Sequence, residues 1–517
     1  KSINKYLGNS FKVLASIGHV RDLSTKNDAI NTEDNFKLTW EISDRGKKVI
    51  KDITDAAKDS ENLYLATDPD REGEAIAWHV AKILRDNPEL QNLNIQRITF
   101  NEITKNAVKE SLKEPRKIND NLVNAYLARR ALDFLVGFNL SPVLWRKLPG
   151  SKSAGRVQSV ALRIITEREL EIEKFNPQEY WSINAIFSKE GSKQFEARLT
   201  QFNGKKVAKF DIKNKISATE ILKKCSDVTY SVHKVEKKEI KRNPYPPFTT
   251  STMQIEASRK LGFTTNQTMN IAQKLYEGTE IDGEPTGLIT YMRTDSVVMS
   301  NTAMNVVRKY INNEFGKNYL SLEPRIYKSK AINTQEAHEC IRPTNFNLSP
   351  QKIKKIFNID EYKLYEIIWQ RAVSSQMASA ILNQVSIDLK NSDNQIIFRA
   401  NGSSIKFNGM LSVYQETKDE DEENNIENSN LPELNEGDKL ELIKSEKIQH
   451  FTLPPPRYTE ANLVKKLEEL GIGRPSTYAS IIRVLQKRDY VFLDNKRFIP
   501  HDKGRVVSIF LTNFFNQ

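Results

Sequence analysis

Residues 11–112 alternate short apolar runs with turns and helical patterns, which restricts this part of the chain to an α/β layer. The apolar runs at 11–17, 61–67 and 95–100 predict three strands. Helical apolar spacing follows at 75–84 and 104–112. This alternation is typical of a mostly parallel sheet covered by helices. In such sheets the functional residues lie beyond the carboxyl ends of the strands.

Three acidic residues follow the second predicted strand within the heptapeptide DPDREGE at 68–74. Asp68, Asp70 and Glu72 supply hard oxygen ligands of the kind that Mg²⁺ prefers, and without a cation they would repel one another. The alternative is an acidic helix start, in which the carboxylates offset the helix dipole. The spacing favours the magnesium site because the cluster holds more acid than a helix cap requires.

The segment GLITYMRTDS at 287–296 predicts a short strand that ends in a polar turn. Side chains alternate along a strand, so Tyr291, Arg293 and Asp295 would project from one face. A phenol can attack a phosphodiester to form a phosphotyrosine ester, and a guanidinium two residues away can bind the phosphate oxygens bidentately. The alternative is an ordinary strand tyrosine beside a surface salt bridge.

Two further segments carry groups suited to phosphate. The helical pattern at 121–138 holds Arg129, Arg130 and Asp133; an i, i+4 salt bridge accounts for the first and third, which leaves Arg130 available. The segment KSAGRVQS at 152–159 opens a helix at 157–170, and we expect its backbone N–H groups, with Arg156, to form an anion site. An ordinary helix cap is the alternative.

The rest of the chain suggests a modular organisation. β-Alternation at 180–235 resumes at 386–443, which predicts one β-rich module interrupted by an insert. The insert begins at the proline-rich hinge 244–252 and contains Tyr291 and His338; a lone histidine is usually structural. A glycine-rich turn at 471–478 joins two helical patterns into a winged-helix-like unit, whose Arg474, Ser476 and Thr477 could hold a phosphate.

The charge distribution points to an acidic partner. The 517 residues carry a net charge of +12, and the run 416–427 alone carries −6, which leaves +18 for the rest. We expect that run to be a solvated loop and the folded surface to attract an acidic partner, most often nucleic acid or a membrane surface. No apolar run is long enough to span a membrane. The two cysteines, Cys225 and Cys340, form no zinc or disulfide framework, which suits a reducing cytoplasm.

Six motifs, in this order, resemble the bacterial type IA DNA topoisomerase family. They are DPDREGEAIAW at 68–78, FNEI at 100–103, SAGRVQS at 153–159, YMRTDS at 291–296, EAHE at 336–339 and GRPSTY at 473–478. The resemblance covers nearly the whole chain and implies a multidomain α+β fold in which an α/β Toprim domain, helical domains and a β-rich arch form a ring. It divides the chain into a Toprim domain at 1–114, a helical base at 115–178 and 451–517, an arch at 179–245 and 377–450, and a tyrosine domain at 246–376.

The resemblance also implies a reaction and a set of site residues. Tyr291 would cut one DNA strand and hold its 5′ phosphate, Arg293 would stabilise the transition state, and His338 would assist. Asp68, Asp70 and Glu72 would hold Mg²⁺, no ATP would be needed, and negative supercoils would be relaxed by a monomer at the nucleoid in the cytoplasm. The residues expected to contact DNA are His19, Arg129, Arg130, Asp133, Arg146, Ser153, Ala154, Gly155, Arg156, Val157, Gln158, Arg293, Arg474, Ser476 and Thr477.

Three departures from the family pattern qualify these expectations. The sequence starts just after the place of the family's Glu-Ser-Pro-Ala-Lys motif, whose Glu is taken as a proton donor, so we expect the chain to cleave DNA poorly. The family's carboxy-terminal region is also missing, and Phe134 replaces a common basic residue. Two rival functions are a single-strand-binding module without chemistry and a Toprim nuclease or primase.

Overall fold

The computed structural model describes residues 2–25, 29–226, 228–281, 283–328, 339–416 and 431–515. Two sequence predictions fall elsewhere. His338 lies outside the described residues, and so does the acidic run at 416–427 apart from Glu416, which bonds to the Arg371 guanidinium at 3.0 Å.

The amino-terminal region is an α/β layer. Its two central strands, β5 and β6, pair in parallel and pack against two helices, α2 and α3, through buried residues such as Val49, Leu65 and Leu84. The elements are α1 (Ser2–Leu7), β1 (Arg21–Leu23), β2 (Ile30–Asn31), β3 (Lys37–Leu38), β4 (Trp40–Ile42), α2 (Asp44–Lys58), β5 (Asn62–Leu65), α3 (Arg71–Arg85), a 3₁₀ turn (Pro88–Leu90), β6 (Asn94–Arg97) and α4 (Lys105–Ser111).

The prediction of a buried strand at 11–17 is wrong. Phe11, Leu14 and Ile17 are exposed, and the segment has no strand structure. Phe11 does approach the ring of Tyr64 in β5, with 6.4 Å between centroids. A strand needs ladder hydrogen bonds as well as apolar side chains, and this segment makes none with β5.

Two long helices and the first arch strands come next. Helix α5 continues well past the predicted end at 138, because Pro142 is accommodated within it. The elements are α5 (Asp120–Lys147), α6 (Arg156–Glu173), β7 (Glu179–Ser188), β8 (Phe195–Phe202), β9 (Lys205–Lys206), α7 (Lys215–Ser226) and β10 (Tyr230–Arg242).

The insert that carries Tyr291 is mainly helical and has its own apolar core. The hydroxyl of Thr249 caps its first helix, and Thr252 returns a bond in a capping box. The elements are α8 (Thr250–Glu256), a π-helical turn (Ala257–Leu261), α9 (Thr265–Glu277), β11 (Thr279–Ile281), β12 (Glu284–Thr286), α10 (Asn301–Glu314), a 3₁₀ turn (Lys317–Tyr319), α11 (Pro350–Ile353) and α12 (Ile359–Ser374).

The last part returns to the arch and then to the helical region. Two helices in sequence and a β-hairpin form a helix–turn–helix with a wing. The elements are β13 (Ala380–Asn391), β14 (Ile397–Phe407), a 3₁₀ turn (Gly409–Ser412), β15 (Lys439–Phe451), α13 (Glu460–Glu469), α14 (Tyr478–Lys487), β16 (Val491–Asp494), β17 (Arg497–Pro500) and α15 (Asp502–Phe514).

The β-rich stretches on either side of the insert form one sheet. Its strand order is β14-β13-β10-β15-β7-β8-β9, and β14 also pairs with β8. Because β10 lies before the insert and pairs with β13 after it, the insert leaves and re-enters the same sheet. The two stretches are therefore one module, as the alternation predicts.

The helical region is likewise assembled from distant parts of the chain. Leu144 and Leu162 of α5 and α6 share a buried core with Leu467 and Leu485 of α13 and α14. Among the helices described, none combines the length and the apolar character needed to cross a bilayer. The chain thus returns to its helical region after completing the arch. This return brings the turn before α14 close to α5, and both border the cavity of the candidate site.

Candidate active site

The start of helix α3 places the acidic cluster. Asp70 is the N-cap, and its Oδ1 accepts a hydrogen bond of 2.8 Å from the Gly73 backbone N–H. A Cβ atom at Gly73 would lie 2.1 Å from the carbonyl oxygen of Asp68, so only glycine allows the helix to begin this close to the strand. The heptapeptide is therefore both a helix start and a carboxylate cluster.

The segment 287–296 is extended but is not the predicted strand. It bonds to neighbours on both sides: the Gly287 and Tyr291 N–H groups donate to the carbonyls of Ile103 and Asn101, and Thr290 donates to Arg342. These separate hydrogen bonds do not form a β-ladder, because the neighbouring segments around Asn101 and Arg342 are not strands themselves. The alternation of side chains nevertheless holds.

Tyr291 is buried, with 2% of its surface exposed. Its hydroxyl donates a 2.8 Å hydrogen bond to Asp70 Oδ2, and the ring of Tyr276 meets its ring edge to face at 5.3 Å. Burial, and then the charges of Asp70 and Asp68, raise the pKa of Tyr291 well above its ordinary value. In this state the phenol is protonated.

Arg293 lies between two of the carboxylates. Its Nη1 is 3.8 Å from Asp70 Oδ2 and 3.5 Å from Glu72 Oε2. The imidazole of His19, whose Nε2 lies 3.8 Å from Glu72 Oε1, is the main cause that lowers the pKa of Glu72. Burial and the neighbouring Asp70 raise the pKa of Asp68 to about 6. A further positive charge at the cluster would thus be stabilising.

The donor set fits a hard cation by its chemistry, since all three side chains offer carboxylate oxygens. Within the described ranges, no three His, Cys, Asp or Glu side chains stand in an arrangement that would hold a metal ion. Asp70 is engaged by Gly73 and Tyr291, and Arg293 supplies the positive charge beside it.

A cavity of about 510 Å³ opens in front of this cluster. Helices α3 and α5, the segment 293–295 and the turn before α14 contribute to its wall. Its lining residues are His19, Asp22, Asp70, Arg71, Glu72, Tyr126, Arg129, Arg130, Asp133, Arg293, Thr294, Asp295, Arg474, Pro475, Ser476, Thr477 and Ser480. Eight of the fifteen residues predicted to contact DNA therefore line one cavity, although they come from distant parts of the chain. They are His19, Arg129, Arg130, Asp133, Arg293, Arg474, Ser476 and Thr477.

The basic residues of α5 are paired within the chain. The Arg129 guanidinium lies 3.6 Å from Asp133, as the i, i+4 spacing predicts. Arg130, however, is not unpaired: its Nε and Nη2 donate to the two carboxylate oxygens of Asp22 at 2.9 and 2.7 Å. Asp22 is 108 positions away, so helical spacing could not reveal this partner. Arg156 donates to Asp133 at 3.0 Å.

The predicted anion site at 153–158 is occupied by the chain's own groups. The N–H of Ser153 donates to the Tyr490 hydroxyl, that of Ala154 to Ser141 and that of Gly155 to Ser159. The expectation that these N–H groups are exposed is therefore wrong. Tyr490 follows α14 and Ser141 belongs to α5, so the local pattern does not show these two partners, whereas Ser159 lies in α6 itself.

Gln158, Val157 and the nearby Arg146, which were also predicted to contact DNA, make contacts within the chain. Gln158 donates to the Ser153 carbonyl at 3.1 Å, and Val157 packs against the helical core. Arg146 is exposed and donates to the Pro142 carbonyl of its own helix. None of these three side chains is part of the cavity wall described above.

The turn before α14 is built as the sequence suggests. The Thr477 hydroxyl accepts a 2.9 Å bond from the Arg474 N–H and donates to the Arg474 carbonyl. This closed turn places Arg474, Ser476 and Thr477 on the cavity wall.

Two important residues of the wall, Arg71 and Tyr126, were missed by the sequence reasoning. Burial, and then the guanidinium groups of Arg474 and Arg129, lower the pKa of Arg71. Arg71 lies inside the acidic heptapeptide, and Tyr126 precedes Arg129 and Arg130 by about one turn of α5. The sequence therefore placed both residues beside predicted site residues.

Comparison with known proteins identifies the family. The model of the DNA topoisomerase family matches residues 117–517, and that of the Toprim domain matches residues 1–103. The DNA topoisomerase 1 of Rickettsia bellii is 52% identical over 518 residues, which cover 100% of this chain and 64% of that protein. The chain belongs to the bacterial type IA DNA topoisomerase family.

Other relatives agree with this membership. The DNA topoisomerase 1 of Xylella fastidiosa is 50% identical over 522 residues, which again cover 100% of this chain and 64% of the relative. The chain thus spans about two thirds of the length of these curated relatives.

A solved structure gives the corresponding fold. The full-length topoisomerase I of Thermotoga maritima superimposes with a TM-score of 0.86 at 36% identity, over 100% of this chain and 81% of that one. The predicted fold class, a multidomain α+β type IA topoisomerase with a Toprim domain, is confirmed.

Proposed function

We propose that the protein is an ATP-independent topoisomerase that relaxes negatively supercoiled DNA through a covalent link to Tyr291. The observation that carries this proposal is the position of the Tyr291 phenol. It is hydrogen-bonded to Asp70, close to Arg293, and lies behind a cavity whose wall holds five arginines. A structural tyrosine does not require a guanidinium and three carboxylates around it.

The reaction would proceed as a transesterification. The phenol oxygen of Tyr291 bonds to phosphorus, the bond from phosphorus to the 3′ oxygen breaks, and that oxygen takes up a proton and leaves as a hydroxyl. Asp70 already accepts the phenol hydrogen bond and is placed to receive its proton. Attack by the 3′ hydroxyl restores the strand, so no ATP is consumed.

Arginines supply the recognition of phosphate. Arg293 can donate to the oxygens of the attacked phosphate as charge builds on them. Burial, and then the charges of Arg474 and Arg129, lower the pKa of Arg71, and a bound phosphate would offset the repulsion among these arginines.

Asp68, Asp70 and Glu72 would hold Mg²⁺ in the working enzyme. Bound there, the ion would neutralise charge near the phosphate and keep the DNA in position. Burial, and then the charge of Asp70, raise the pKa of Asp68 to about 6, and a bound cation would offset both effects, which supports this assignment. We assign His338 a supporting hydrogen-bonding role by family resemblance alone.

Passage of the second strand requires the insert to separate from the Toprim domain. The contacts that would break include the bonds from Tyr291 and Gly287 to the carbonyls of Asn101 and Ile103. By resemblance to the family, we further propose that the enzyme acts as a monomer at the nucleoid.

The single strand would enter along α5 and the turn before α14. His19, Arg129, Arg130, Asp133 and Arg474 border that route. Arg156 reaches it through Asp133. The stretch 153–158 and Arg146 would contact DNA farther along, and the internal bonds of that stretch would have to open or be shared.

The direct test is covalent trapping. End-labelled single-stranded DNA is mixed with the protein and Mg²⁺ and quenched with denaturant, for this chain and for a version preceded by the family's first-strand motif. An adduct that disappears in Tyr291→Phe supports the proposal. Retained binding without adduct in every version would favour the single-strand-binding module, and hydrolysed ends would favour a nuclease.

A further inference from the structure

His79 lies in a buried aromatic cluster behind the cavity. Its side chain is fully buried, and Arg21 Nε donates a 2.5 Å hydrogen bond to its Nδ1. The Arg21 guanidinium also stacks over the rings of Trp78 and Trp40, at 5.0 and 5.4 Å from their centroids. Three contacts therefore hold this arginine against one nitrogen of His79.

The bond from Arg21 fixes where the His79 proton sits. Burial, and then the charge of Arg21, lower the pKa of His79 to about 3, so the ring is neutral at physiological pH. A neutral ring that accepts at Nδ1 carries its hydrogen on Nε2. Among the described residues this Nε2 is buried and has no hydrogen-bond partner. Such a donor is costly unless something accepts from it.

An acceptor of the right kind stands next to it. The rings of His19 and His79 meet edge to face, with 5.8 Å between centroids. In the described chain His19 Nδ1 is also buried without a partner. The other nitrogen of His19, Nε2, lies 3.3 Å from the Tyr126 hydroxyl and 3.8 Å from Glu72 Oε1.

We propose that His79 is a positioning residue that fixes the tautomer of His19. The Nε2–H of His79 donates through one buried water to Nδ1 of His19, so that His19 carries its own hydrogen on Nε2 and directs it at Glu72. Each buried nitrogen thereby gains the partner it lacks, and the orientation set by Arg21 is passed to a carboxylate of the cavity.

The ring of Trp40 is the alternative acceptor for the His79 N–H. The two rings are 4.5 Å apart in an edge-to-face arrangement, which would allow a weak N–H···π contact. In that case the tautomer of His19 would not depend on His79, so the two arrangements can be separated by experiment.

The test uses nitrogen-15 NMR of the free chain labelled at histidine, of which there are only six. Two-bond proton–nitrogen spectra report which ring nitrogen carries the hydrogen. The variants are His79→Gln, which keeps an acceptor for Arg21 and a donor for His19, and His79→Phe, which removes both. His450→Phe, on the arch, is the control.

His19 is expected to favour the Nε2–H tautomer in the unaltered chain and in His79→Gln, and the ratio of the two tautomers is expected to fall by roughly fivefold in His79→Phe. An unchanged His19 pattern in His79→Phe overturns the proposal, as does a His79 that carries its hydrogen on Nδ1. Should His79→Phe not fold, Arg21→Leu frees the His79 tautomer, and the His19 pattern must change with it.

The consequence for catalysis rests on the proposed function, whereas the spectra need neither DNA nor activity. Loss of the His79 hydrogen bond should slow adduct formation roughly 10- to 100-fold, with single-strand affinity unchanged and the rate restored by His79→Gln. A chain that forms no adduct in any version while showing the expected spectra contradicts the proposed function alone. Equal rates of adduct formation in the unaltered chain, His79→Gln and His79→Phe would overturn the positioning role of His79.

Discussion

The hydroxyl of Tyr291 donates a 2.8 Å hydrogen bond to Asp70 Oδ2 across 221 positions of sequence. Asp70 uses its other oxygen to cap α3, so the proposed nucleophile is tied to the first turn of a Toprim helix. The carboxylate that orients the phenol also helps to raise its pKa. The same contact joins two regions that must separate if a strand is to pass.

Asp70→Asn tests the role of that carboxylate. The amide oxygen can still cap α3, so the fold should persist. We expect adduct formation to fall by about 10²- to 10⁴-fold. Noncovalent binding of single-stranded DNA should tighten by about fivefold, because a charge at ~4 Å from another in water is worth about 1 kcal/mol. Asp52→Asn, on the exposed face of α2, should change neither quantity. Cleavage at the normal rate by Asp70→Asn would contradict the assignment.

Asp22→Asn should release Arg130 from its bidentate partner. Single-strand binding should strengthen, and the slope of log affinity against log salt should steepen by about 0.7, because one more cation can meet phosphate. The matched control is Asp388→Asn on the arch, which breaks a similar bidentate pair with Arg399 away from the cavity. A slope that changes equally in both variants would show that the effect is not local.

Gly73→Ala should disrupt the start of α3. The new Cβ would meet the Asp68 carbonyl at 2.1 Å, and a clash with backbone of this kind costs about 1–3 kcal/mol or more in the free energy of unfolding. Gly137→Ala is the control within α5: its Cβ would meet only the Ala154 carbonyl, at 3.8 Å, so helix propensity should raise stability by about 0.5–1 kcal/mol. Urea unfolding measures both. Equal stability of the two variants would refute the packing argument.

Glu169→Gln should lower stability in a pH-dependent way. Arg457 donates to both oxygens of this buried carboxylate at 2.8 and 2.7 Å, and this pairing lowers the pKa of Glu169. The stabilisation is therefore present above the unfolded pKa of about 4.3 and is lost as pH falls through the lower folded value.

At pH 7 the expected loss is about 1.5–3 kcal/mol, since the bonds involve a charged group. The difference between Glu169→Gln and the unaltered chain should close below pH 4, as followed by chemical denaturation. Glu171→Gln, in an exposed pair with Arg168, should cost under about 0.5 kcal/mol at any pH. If the difference in the free energy of unfolding between Glu169→Gln and the unaltered chain grew larger in acid, the pairing of Glu169 with Arg457 would not be its cause.

Local sequence patterns predicted much of the candidate site. The heptapeptide around Asp70 predicted a helix start and a carboxylate cluster, and both are present. Alternation along 287–296 predicted that Tyr291 and Arg293 share one face, and both side chains do meet Asp70, even though the expected strand does not form. These predictions succeeded because caps and alternation depend on neighbours in sequence.

Errors arose where the partner is distant. Arg130 was expected to be available, but Asp22 binds it. The N–H of Ser153 was expected to be exposed, but Tyr490, 337 positions away, accepts from it. Sequence periodicity reports which face of an element is apolar and gives no information on which polar group will meet it in the folded chain.

The most direct test of the account is to locate the covalent link. The trapped complex is digested with protease, and the DNA-bearing peptide is identified by mass spectrometry, with single-stranded DNA labelled separately at each end. We predict that the fragment carrying the 5′ phosphate is joined to the peptide that contains Tyr291. A link to Tyr276, whose ring lies 5.3 Å from that of Tyr291, or attachment through a 3′ phosphate would contradict it.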